Sequence, residues 1–81
     1  MNNKRRKEIS NNLNSLIMIK ENFERILSDE EDSYDNIPEN LYGSDKVIVS
    51  EAAMDILDEI IVFLEEAVDN IESAIDSINE I

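Results

Sequence analysis

The chain has 81 residues and a mass of 9.3 kDa, enough for one small domain, and 20 acidic against 7 basic residues leave it at −13. A body this acidic repels polyphosphate, which excludes unaided binding to nucleic acid. The absence of His, Cys and Trp removes most metal, redox and nucleophile–base constellations, while 42% hydrophobic content is too high for a disordered acidic tail.

The first segment opens with Lys4-Arg5-Arg6-Lys7, followed by Glu8 and several Asn rather than by the apolar stretch of a secretory leader. The longest apolar run, Ile60 to Leu64, is far short of the ~20 residues of a membrane-spanning helix. A cytoplasmic protein with no membrane partner is expected, resting on the missing signal alone. Ile9, Leu13, Leu16, Ile19, Phe23, Ile26 and Leu27 recur at steps of three and four, which predicts a first helix over about 4–32.

A connector over about 33–50 holds the only Pro and the only Gly. Pro38 suits the first position of a short helical turn capped by Asn36, and Gly43 suits positive φ where that turn ends. Tyr34, Ile37, Leu41 and Tyr42 are expected to fold over the end of the molecule. Val47-Ile48-Val49 is unusually apolar for a simple entry to a helix.

The remaining segment carries a heptad repeat. Leu57, Leu64, Ile71 and Ile78 share one position; Ile60, Ala67, Ala74 and Ile81 follow three residues later, and Ile61, Val68 and Ile75 four residues later. With Ser50 as N-cap and Glu51 in the first turn, the second helix is placed at about 51–81. The expected fold is all-α: one domain over 1–81, an antiparallel two-helix hairpin with a structured Pro/Gly connector.

Two helices bury little, and no disulfide or metal is available to add stability. With the turn near residue 41, facing residues have numbers that sum to about 82, which sets Met18 beside Leu64 and Ile19 beside Phe63. Ile17, Met18, Val62 and Phe63 then form an apolar belt at mid-height. The belt suggests a homodimer that forms a four-helix bundle.

Charge is the other strong pattern. No basic residue follows Lys46, while Asp55, Asp58, Glu59, Glu65, Glu66, Asp69, Glu72 and Asp76 line the outside of the second helix as a candidate partner-binding stripe. The basic cluster at the start opposes a helix dipole, and an intramolecular clamp to Asp76, Glu80 and the chain end is expected to compensate. At the other end Asp29, Glu30, Glu31, Asp32 and Asp35 form an acidic tip. That tip lacks the alternating ligands and the glycine of an EF-hand loop, so no metal site, cofactor or catalytic residue is assigned, and no enzyme is expected.

Met1-Asn2-Asn3-Lys4-Arg5-Arg6-Lys7, the connector from Asp29 to Leu41 with its Asp29-Glu30-Glu31-Asp32-Ser33-Tyr34-Asp35-Asn36-Ile37-Pro38 run, and the closing Ala74-Ile75-Asp76-Ser77-Ile78 resemble a group of short acidic helical proteins. That group occurs in low-GC Gram-positive bacteria, their phages and integrated elements. The resemblance implies a setting and transfers no functional residues. Two functions stand: an interaction or inhibitor protein that mimics nucleic acid in the basic groove of a nucleic-acid-binding host protein, and a self-assembling structural or adaptor hairpin whose acidity serves solubility.

Overall fold

Asn2 starts the first helix by accepting the backbone N–H of Arg5 on its Oδ1 at 2.9 Å, the N-cap geometry its short amide side chain favours. In this computed structural model, which describes residues 1–81, helix α1 runs over Asn3–Asp35 and helix α2 over Asp45–Asn79. The two pack against each other as a hairpin with no strands, so the all-α expectation stands. No helix is long and apolar enough to cross a membrane.

Helix α1 extends three residues beyond the expected 32. Asn36 closes it, both its backbone N–H and its side-chain Nδ2 donating to the Asp32 carbonyl. Asn36 therefore caps α1 and not the turn that follows, because the last carbonyls of a helix need donors and its amide lies within reach. Pro38 stands just before a single 3₁₀ turn over Glu39–Leu41, and its carbonyl accepts from Leu41. Gly43 takes φ 85°, the left-handed conformation that a side chain disfavours.

The largest correction concerns the start of α2. It begins at Asp45, six residues before the expected 51, and the connector shrinks from 33–50 to 36–44. Ser44 is the N-cap residue, and its carbonyl accepts from Val47 and Ile48. Ser50, expected to cap, sits buried inside the helix and donates its hydroxyl to Glu30 Oε1 at 2.7 Å. Burial explains the shift: Val47 and Ser50 are both buried, and the gain from burying Val47 exceeds the few tenths of a kcal/mol by which Val and Ile disfavour helix.

The inward positions of both helices follow strict steps of three and four. On α1 they are Arg6, Ile9, Leu13, Leu16, Lys20, Phe23, Leu27, Glu30 and Tyr34; on α2 they are Val47, Ser50, Met54, Leu57, Ile61, Leu64, Val68, Ile71, Ile75 and Ile78. All but Ile71 are buried or half-buried. Arg6 reaches the Ile78 carbonyl, so facing residues sum to 84 at that end; Tyr34 bonds to Glu51 and Glu30 to Ser50, giving 85 and 80 at the other. The register expected from the turn is thus met within about three residues.

This seam is thin. Five residues are buried and none is fully enclosed. The molecule measures 61 × 16 × 13 Å with a radius of gyration of 18.4 Å, against about 12 Å for a compact domain of this length.

Candidate functional site

The sides of α2 have sharply different chemistry. With Val47 as position a of the heptad, positions a and d face α1. Positions e, b and f, about 40–140° around the helix from a, carry Glu51, Asp55, Asp58, Glu59, Glu65, Glu66, Asp69, Glu72 and Asp76. All nine are exposed, and none lies within ion-pair distance of a cation; both ion pairs of the chain, Lys20–Glu24 and Arg25–Asp29, are within α1. On the opposite side, positions c and g carry Val49, Ile56, Phe63, Ala53, Ile60 and Ala67, uninterrupted by charge.

The four residues of the expected belt share a height but not a face. Successive helical residues are turned by about 100° from each other, so Ile17 is half-buried beside the seam while Met18 points away from α2. Val62 lies within the acidic arc, one turn from Asp58, Glu65 and Glu66, and only Phe63 belongs to the apolar side. Sequence distance along the hairpin axis was legible; azimuth had to come from the true seam.

The acidic tip divides as well. Asp29 pairs with Arg25 at 3.2 Å, Glu30 turns inward to Ser50, and Glu31, Asp32 and Asp35 stay in solvent. No three carboxylates converge to hold a metal ion. A shallow cleft of about 330 Å³ opens beside them, lined by Glu30, Ser33, Ile37, Asp45, Lys46, Val49 and Ser50. Ser50 was expected as a helix cap rather than in such a cleft, and the helix start placed at 51 left Asp45 and Lys46 in the connector.

Tyr34 ties the tip together by donating its hydroxyl to Glu51 Oε1 at 2.9 Å. The hydrogen bond to Glu51, and then the carboxylate's negative charge, raise the Tyr34 pKa above the ordinary value of about 10. Stability from this bond is complete below the unfolded pKa and disappears as pH rises through the folded one. We expect phenol titration of a Tyr42→Phe chain, which leaves Tyr34 alone, to show a midpoint above the ordinary tyrosine value. Adding Glu51→Gln should lower that midpoint; no change between the two would show that the bond is not kept in solution.

At the far end the basic cluster meets α2 differently from the expected clamp. Arg6 Nη1 donates to the Ile78 carbonyl at 3.0 Å and to Asn79 Oδ1 at 3.3 Å, while Asp76 and Glu80 form no ion pair. The Ile78 carbonyl also accepts the backbone N–H of Ile81 at 3.2 Å, so the guanidinium adds a second, charged donor to a carbonyl at the negative end of the α2 dipole. No family model, curated protein or solved structure matches the chain.

Proposed function

We propose that the protein is a non-enzymatic interaction module whose acidic α2 arc fits a basic groove of a partner protein, the partner being a nucleic-acid-binding host protein and the setting a phage or mobile element. The observation that carries this reading is the segregation of charge. Nine exposed carboxylates occupy one arc with no cation among them, although like charges one turn apart cost a few tenths of a kcal/mol per pair. A solubilising surface needs no such sorting, because interspersed Lys serves equally well.

Spacing refines the mimicry. From Glu51 to Asp76 the arc covers roughly 38 Å at ~1.5 Å per residue, about one charge per 4 Å. Duplex DNA carries one per ~1.7 Å and each of its strands one per ~3.4 Å, so the arc matches a single strand. A groove that holds one strand is the partner surface it fits.

Reversing Glu65, Glu66, Asp69 and Glu72 to Lys should abolish capture of such a partner with helix content unchanged, since none of the four enters the seam. Nucleic acid should compete for the partner, and added salt should weaken both complexes. A partner that holds nucleic acid and this protein together without mutual loss rules out mimicry.

The apolar side of α2 favours a second reading, in which the hairpin self-associates as a four-helix-bundle dimer and acts as an adaptor. The two readings are compatible in one molecule, because they use opposite sides of the same helix.

A further inference from the structure

We propose that positions c and g of α2 are a homodimer interface, on which a second copy of this chain packs its own α2 antiparallel about a two-fold axis level with residue 58. This rests on the self-association reading above and gives it a face, a direction and a register.

The face is itself a heptad seam. Val49, Ala53, Ile56, Ile60, Phe63 and Ala67 recur at alternating steps of four and three, the spacing by which a helix keeps one edge toward a partner helix. Helix α1 occupies the a and d edge and half-buries Ala53, Ile60 and Ala67 at position g, while the c positions beside them stay uncovered. Val49, Ile56 and Phe63 stay 66%, 57% and 59% exposed.

Residue sizes along the seam suit a copy of itself. About an axis at residue 58, Val49 meets Ala67 of the second copy, Ala53 meets its Phe63, and Ile56 meets its Ile60. Large thus faces small, or two isoleucines meet, in every layer, and the mirror set repeats the match. Beyond these layers Lys46 meets Asn70 of the second copy, where the apolar run ends.

Helix α1 supplies the remaining wall. With Arg6 as position a of α1, Ile19 and Ile26 lie at its position g, which in an antiparallel hairpin flanks the same side as position g of α2; both are exposed. By the nearer pairs Glu30–Ser50 and Tyr34–Glu51, Ile26 lies level with residues 54–59, beside the axis.

Surface area agrees. The chain exposes 6032 Å², whereas a compact monomer of 9.3 kDa exposes about 5,000 Å². The excess of roughly 1,000 Å² per chain is close to the ~800 Å² each partner contributes to a standard interface. Acids border the face only at Glu59 and Glu66, and Glu59 lies next to its own copy across the axis. Salt should therefore tighten the dimer, opposite to its effect on a basic partner.

Sedimentation should give twice the 9.3 kDa chain mass at micromolar concentration. Ile56→Glu with Phe63→Glu should weaken association about 100-fold or more, while Met18→Glu with Val62→Glu leaves it intact. The chain has no Cys, so a mixture of Ala53→Cys and Phe63→Cys chains offers a test independent of folding losses. A mixed disulfide forming faster than either homodisulfide is the expected result. A wild-type monomer overturns both the interface and the self-association reading. A dimer that survives Ile56→Glu with Phe63→Glu, or mixed chains that do not cross-link preferentially, overturns this face and register alone.

Discussion

Ile61→Asp should abolish the cooperative helical transition, whereas Val62→Asp, one residue further on, should leave it nearly unchanged. Ile61 is 9% exposed in the seam and Val62 is 47% exposed in the acidic arc. At position 61 the exchange loses about 1.5–3 kcal/mol of side-chain burial and places a carboxylate in apolar surroundings, which costs more. A core of this size supplies about 3–5 kcal/mol in total, so the hairpin unfolds. Circular dichroism through a thermal ramp reads the difference directly. Equal responses of the two variants would mean that the inward register is not the one described.

Lys20→Leu should raise the melting temperature. Lys20 holds an inward position between Leu16 and Phe23, level with Leu64 in the register set by Arg6 and Ile78. Its side chain keeps 26% exposure and leads its ammonium to Glu24 at 3.5 Å. The methylene stem already packs, so leucine gains mainly by removing a charge from a partly dry site. We expect about 1 kcal/mol, roughly 4–8 °C for a chain of this length. The same change deletes the one polar mark in the middle of the seam, and a lone polar residue at such a position restricts register and oligomer state. Mixed or larger assemblies in sedimentation should accompany the gain; a fall in melting temperature would show that the cation is needed to offset the surrounding acids.

Two helices joined near residue 41 were legible because apolar residues at steps of three and four outweigh every other signal in the chain. Gly43 announced its own turn for an equally local reason. Polarity alone misled at Lys20, Glu30 and Ser50, which fill inward positions that a count of apolar residues passes over, and Ile19 and Ile26 took their place in the expected stripe. Val47-Ile48-Val49 read as too apolar for a simple helix entry, and the helix does start earlier, at Asp45, with Val47 buried inside it.

The sequence by itself determined the hairpin, its approximate register and the acidic stripe, since periodicity and charge are properties of the order of residues. Only the tertiary structure decided which of two adjoining seams on α2 faces α1. Positions a, d, g and c are all apolar over Val47–Val68 apart from Ser50, so the pattern permits either edge to face inward. Contact with α1 makes the choice, burying Val47, Ile61 and Val68 and leaving Val49, Ile56 and Phe63 in solvent. One helix is too narrow to cover both edges of another, and the edge left over is where a second pair of helices has room to pack.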